Sequence, residues 1–179
     1  MLPAREYLEL MQDFFSAGGL VLWAICLVSI LLWALIIERY FYLRRVYPAE
    51  LDSLVAAWRA RNDQTSWFAH QIRLAMIAGQ ASRLGRSLAL IRSLIAICPL
   101  LGLLGTVTGM ISVFDVLAVL GSGNARAMAS GISMATIPTM AGLVVALSGL
   151  FFSVRLRQQV LLERQKVADL LRHYGEAVS

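Results

Sequence analysis

Charge is scarce in this chain, and three long stretches lack it altogether. Only 15% of the 179 residues are Asp, Glu, Lys or Arg, whereas 59% are hydrophobic. An ordinary soluble domain is roughly 45–50% apolar. The excess is gathered in blocks and the mean hydropathy is +0.70, as expected of a chain that crosses a membrane. Cysteine and histidine are equally sparse. Cys26 and Cys98 both lie inside apolar blocks, which argues against a structural disulfide or a zinc site. His70 and His173 stand alone among polar residues, with no HExxH-like spacing, and read as solvated surface groups. The apolar blocks hold no Ser–His pair, paired aspartates or metal cluster, so the sequence argues against an intramembrane enzyme. Internal repeats and low-complexity segments are also missing.

What is present is organised by the uncharged runs. Gly18 to Ile37 is 20 residues long, Ser93 to Phe114 is ended by Asp115, and Ala127 to Val154 covers 28 residues. About 20 apolar residues cross the hydrocarbon core, so each run is long enough. The first is not read as a signal peptide. Residues 1–17 carry Arg5 against Glu6, Glu9 and Asp13, whereas a secretory peptide opens with a basic region and has a shorter apolar stretch.

The formal net charge is +5, but the basic residues flank the hydrophobic blocks, where topology demands them, so nucleic-acid binding is set aside. Residues 38–92 hold nine Lys and Arg and residues 155–179 hold five, together 14 of the 16 in the chain; only Arg5 and Arg126 fall elsewhere. The positive-inside rule then predicts an outside N-terminus and a cytoplasmic C-terminus. The expected fold is an all-α membrane protein, N-out/C-in, with three transmembrane helices extended into a cytoplasmic helical bundle. Its expected segments are a periplasmic stretch 1–17, spans at 18–37, 93–120 and 131–154, a cytoplasmic helical segment 38–92, an external turn 121–130 built on Gly121-Ser122-Gly123-Asn124, and a cytoplasmic helix 155–179. Pro48 is expected to end the extension of the first helix. Leu74, Ile77, Ala81, Leu84, Leu88, Ile91 and Ile95 form a helical stripe expected to run unbroken into the second span. Leu156, Val160, Val167, Leu170, Leu171 and Tyr174 form another.

Helices in lipid associate through small residues and hydrogen bonds rather than through hydrophobicity. The second run carries Gly102, Gly105, Thr106, Thr108, Gly109 and Ser112, with Gly105 and Gly109 as a GxxxG pair. The third carries Ser133, Ala135, Thr136, Thr139, Ala141, Gly142, Ala146, Ser148 and Gly149. The first has fewer small residues and is expected to face lipid. Thr106 lies 14 residues beyond Arg92, and Thr139 lies 16 before Arg155. In antiparallel helices rising about 1.5 Å per residue, that puts the two at nearly one depth. Pro138 inside the third run frees the carbonyl of Met134, for which Thr136 or Thr139 is an expected donor; Pro99 plays a similar part near the start of the second. No acidic residue lies deep in any run, and Asp115 near the outer end of the second is the one candidate. Membrane proton relays need ionisable groups, so if protons move, another chain must supply the titrating carboxylate.

These residues carry a family resemblance. The segments Cys98-Pro99-Leu100-Leu101-Gly102-Leu103-Leu104-Gly105-Thr106-Val107-Thr108-Gly109-Met110 and Gly131 to Ala146, with Thr136-Ile137-Pro138-Thr139 at its centre, resemble the proline, glycine and threonine pattern of the ExbB/TolQ/MotA proton-channel family. The pair Glu38-Arg39 is similar as well. The resemblance implies a pentameric inner-membrane subunit, without a cofactor other than protons as coupling ion, whose second and third helices line a pore through Thr106, Thr139, Thr136 and Ser133. It implies an ExbD-like partner with one span and a membrane aspartate, and a TonB-like protein that opens outer-membrane transporters for iron chelates or vitamins. Gly102, Gly105, Gly109, Gly142, Pro99 and Pro138 would shape the helices; Asp115, Glu38 and Arg39 are possible secondary charges. Met134 stands where longer members carry a glutamate. The short chain is most similar to ExbB variants of accessory TonB systems; a TolQ-type envelope-maintenance role and a non-conducting scaffold are the alternatives.

Overall fold

The computed structural model describes residues 4–64, 66–120 and 125–176. Among these residues every element is helical: α1 Ala4–Phe41, a π-helical turn Tyr42–Val46, α2 Tyr47–Arg59, α3 Trp67–Gly85, α4 Leu88–Leu120 and α5 Ala125–Glu176. Three helices are long and apolar enough to cross a membrane, and the chain is an all-α, multi-pass membrane protein. The expected turn residues Gly121–Asn124 lie outside the described residues, as does the side chain of Tyr174. Residues 125–130, expected in that turn, already belong to α5. The helix starts earlier because residues 125–130, rich in alanine, hold no proline or glycine to break it.

The chain forms two compact units. One comprises Met1–Trp33 with Ser93–Leu150, and the other Ala34–Arg92 with Phe151–Ser179. We call them the span unit and the polar unit.

In the span unit, α1 is broken once, at Gly19, with φ 63° and ψ −160°. That backbone region is essentially open only to glycine. Beyond it, Leu22, Ile25 and Leu32 are buried, while Leu20, Trp23, Leu27, Ile30 and Leu31 face outward, a helical spacing that gives the helix an inner and an outer face. Outward apolar faces are not confined to α1, however. Leu100, Leu103, Val107, Ile111 and Phe114 on α4, and Leu143 and Leu147 on α5, are exposed too.

In the polar unit, the largest buried groups are Trp58 and Tyr47 of α2, packed in a core with Leu84, Leu88, Ile91, Leu156, Val160, Val167 and Leu171. The Tyr47 hydroxyl reaches the Glu163 carbonyl of α5 at 3.4 Å. Ser66 caps α3, its hydroxyl accepting from the Ala69 amide at 3.2 Å, the usual role of serine at that position.

Two expectations are corrected here. Pro48 does not end a helix; it sits in the first turn of α2, where proline's fixed φ suits a helix start. The chain passes from α1 to α2 through the π-helical turn, and the Tyr47 amide reaches back to the Tyr42 carbonyl. The stripe from Leu74 to Ile95 is also broken, at Arg86 and Ser87, between α3 and α4. Two arginines donate to carbonyls near the end of α3. Arg39 donates from Nη2 to the carbonyl of Arg83 at 2.7 Å and to that of Leu84, and Arg164 donates to the carbonyl of Ala81. In a continuous helix the carbonyls of Arg83 and Leu84 would accept from Ser87 and Leu88. The Arg39 guanidinium takes that place and also matches the negative end of the α3 dipole. Arg39 is only 4% exposed, a buried cation whose Nη2 is held by backbone carbonyls.

Candidate functional site

The site candidate lies in the span unit, where α4 and α5 pack through backbone rather than side chains. Cys98, Gly102, Gly105, Gly109 and Val113 form the buried stripe of α4, and Gly131, Ala135, Pro138, Gly142, Ala146 and Gly149 that of α5. Steps of three and four residues keep each stripe on one face. Contacts pair them antiparallel. A Cβ at Gly142 would stand 2.5 Å from the Cys98 carbonyl oxygen, at Gly102 2.9 Å from the Thr139 Cα, at Gly105 2.5 Å from the Pro138 ring, and at Gly109 2.5 Å from the Ala135 nitrogen. Any larger residue at these positions would force the helices apart.

The close approach makes one hydrogen bond between the helices possible. Thr139 Oγ1 donates to the Gly102 carbonyl at 3.0 Å, and also lies 3.3 Å from the carbonyl of Ala135 on its own helix. In a regular helix the Gly102 carbonyl is also the acceptor for the Thr106 amide. Thr139 and Thr106 therefore meet at a single carbonyl group. The Thr106 hydroxyl itself bonds the Leu103 carbonyl at 2.7 Å, and Thr108 bonds those of Leu104 and Gly105 at 3.1 and 3.0 Å.

Both threonines are half-buried, at the edge of the packed stripes. At about 100° per residue, each lies roughly 60° round from the middle of its own stripe. Since the helices are antiparallel, the two offsets fall on the same flank of the α4–α5 pair. The other flank is covered by α1: a Cβ at Gly19 would stand 3.9 Å from Met134, one at Gly149 2.8 Å from Leu32, and one at Gly105 3.6 Å from Val21. Thr136 and Ser133 are exposed on α5, Thr136 towards the threonine flank and Ser133 about 180° from the stripe, on the back of the helix. Met134 faces α1 instead, away from the threonines.

Not every expected site residue joins this group. Asp115 is exposed towards the end of α4. Glu38 and Arg39 belong to the polar unit, and the Arg39 guanidinium is committed to the end of α3. The carbonyl freed by Pro138 is not served by the threonines as expected. Thr136 bonds the carbonyls of Ile132 and Ser133, at 3.1 and 3.4 Å, and Thr139 those of Ala135 and Gly102. A threonine hydroxyl reaches back three or four residues, and Met134 is two before Thr136 and five before Thr139. Pro99 and Pro138 both lie within continuous helices. The Gly102 carbonyl, as the common acceptor, was not foreseen from the sequence. The signal was the absence of a side chain at Gly102, which leaves its backbone open to a neighbouring helix. Among the described residues no three His, Cys, Asp or Glu side chains are grouped to hold a metal ion.

A model of the MotA/TolQ/ExbB proton channel family matches residues 42–168, which contain both glycine stripes and both threonines. The chain belongs to that family. The match begins after the first apolar run, so the Glu38-Arg39 pair lies outside it. An ExbB-like biopolymer transport protein of Synechocystis is 35% identical over 170 residues, covering 77% of this chain and 67% of the relative. A second ExbB-like protein of Synechocystis is 42% identical over 84 residues, covering 42% of this chain and 40% of its own length. An ExbB homolog of Methanothermobacter thermautotrophicus is 24% identical over 175 residues, covering 81% of this chain and 62% of the homolog. Along its length this MotA/TolQ/ExbB family member thus spans about two thirds or less of these relatives.

Proposed function

We propose that this chain is an ExbB-type subunit of a proton-motive-force-driven motor in the bacterial inner membrane. The observation that carries this reading is the hydrogen bond from the Thr139 hydroxyl to the Gly102 carbonyl, one helical turn before Thr106, on the flank of α4 and α5 that α1 leaves open, in spans with no deep acidic residue. On this reading the N-terminus is periplasmic, and residues 38–92 and the C-terminal part of α5 are cytoplasmic, following the 14-to-2 split of basic residues. Five copies surround a pore with α4 and α5 inward, and Thr106, Thr139, Thr136 and Ser133 face it. An ExbD-like partner with one span places a membrane aspartate there. Proton passage past that carboxylate drives a conformational cycle delivered to a TonB-like protein, which opens outer-membrane transporters for iron chelates or vitamins.

The hydroxyl geometry supports a proton-handling surface without charge. Each of the two hydroxyl protons is donated to a carbonyl of the same chain, so the remaining lone pairs can accept from a protonated carboxylic acid. Rotating the Thr106 hydroxyl off Leu103 redirects its proton to a carboxylate. Thr106→Val and Thr139→Val keep the side-chain shape and remove this capacity. Both variants should insert and assemble, since one interhelical hydrogen bond in a membrane contributes only about 0.6 kcal/mol. They should lose proton-motive-force-dependent uptake, the double variant most, while Thr→Ser variants are milder. Full uptake by valine variants that assemble normally would reduce the threonines to packing and remove the basis of the proposal.

A further inference from the structure

A second site candidate lies in the polar unit. Gly85, Leu88, Ala89 and Arg92 face Arg157, Val160, Leu161 and Arg164 across a groove of about 250 Å³. Three of these eight residues are arginines and none is acidic, so the groove has an uncompensated positive field. Arg92 and Arg157 are exposed. Arg164 gives one Nη2 bond to the Ala81 carbonyl, leaving other donors of its five N–H groups uncommitted to that contact. Leu88 and Val160 are buried beneath the groove, and Leu161 is exposed at its edge. The position along the chain is equally specific. Arg92 directly precedes the uncharged run that begins at Ser93, and Arg157 is the third residue after the run that ends at Val154. At about 1.5 Å per residue, both cations stand within about 5 Å of the end of an apolar run, the depth of lipid headgroups.

We propose that this groove binds the phosphodiester headgroup of an anionic phospholipid, with Arg92 and Arg157 on the phosphate and the acyl chains leaving along the apolar runs. A water-soluble anion would use the cations but would not require them where charge-free helix begins. Basic pockets between membrane helices are known to hold anionic headgroups in this way. The inference is independent of the motor reading, since it needs no partner, pore or proton.

The test uses the full chain in lipid nanodiscs of phosphatidylcholine with a minor fraction of phosphatidylglycerol, with retained lipid read by native mass spectrometry. Preferential retention of phosphatidylglycerol is expected. Arg92→Gln with Arg157→Gln should weaken that preference on the order of thirtyfold, from about one kcal/mol for each cation near the surface. Both residues are exposed, so helicity and melting should be unchanged. Arg45→Gln, an exposed cation in the turn after α1, should leave the preference intact. Three results would overturn the proposal: equal retention by the double variant, an equal loss with Arg45→Gln (which would mean general surface charge), or displacement of the lipid by inorganic phosphate at comparable concentration, which would mean a free-anion site.

Discussion

The span unit and the polar unit are both helical, yet they are held together by different contacts. In the polar unit the interior is filled by large side chains, Trp58 and Tyr47 at 1% and 2% exposure among leucines and valines. In the span unit the α4–α5 contact is made by residues with little or no side chain, and glycine Cα atoms meet carbonyls and backbone nitrogens directly. Hydroxyl groups there donate to backbone carbonyls, and in the polar unit arginines do so as well as hydroxyls. The difference follows from the solvent. Where water is excluded from contact, large apolar groups contribute by leaving it. In lipid the surroundings are as apolar as leucine, so only close approach and hydrogen bonding distinguish a packed helix from a solvated one.

The strongest way to break this comparison is to empty the polar unit's core. Trp58→Ala should cost about 3–5 kcal/mol, read as lost hydrogen-exchange protection in α2 and α3, with the α4–α5 glycine stripes still protected. Equal loss across both stripes would show that the two units unfold as one. Next comes the opposite change in the span unit. Gly109→Leu places atoms where even a Cβ would lie 2.5 Å from the Ala135 nitrogen, and backbone cannot yield as a side chain can. About 3 kcal/mol should be lost, visible as a lower melting temperature in detergent and as disturbed assembly; normal melting would refute backbone-limited packing. Arg39→Met tests the carbonyl cap on α3. It removes the donor to the Arg83 and Leu84 carbonyls, and about 1–3 kcal/mol should go with it. The smallest effect has the opposite sign. A Cβ at Gly79 on α3 meets nothing within 4 Å, so Gly79→Ala should stabilise by up to about 1 kcal/mol, in contrast to every glycine in the α4–α5 stripes.

Much of the architecture was legible because it rests on local pattern. Three uncharged runs are long enough to span, and the spacing of Gly102, Gly105 and Gly109 marks a contact face before any neighbour is known. Counting residues from Arg92 and Arg155 puts Thr106 and Thr139 near one depth, whereas the contacts set Thr139 against Gly102, one turn from Thr106. The misreadings came where a distant group competes with the local one. The stripe through Leu84 and Leu88 has helical spacing, but Arg39, 44 residues before Arg83, takes the carbonyls that would have continued the helix. Pro48 has the same fixed φ whether it follows a helix or opens one, and the π-helical turn before it leaves no periodic trace.

The sequence by itself determined that this is a helical membrane protein, which stretches are apolar, and which residues are small enough for helices to touch, because hydropathy and residue volume belong to each residue alone. Only the tertiary structure decided that Thr139 donates to Gly102, that Met134 turns towards α1 and away from the threonines, and that two arginines close the end of α3. The hydrogen bonds depend on which carbonyl lies within about 3 Å of a donor, and that distance, like the side Met134 faces, is set by the packing of helices far apart in the chain.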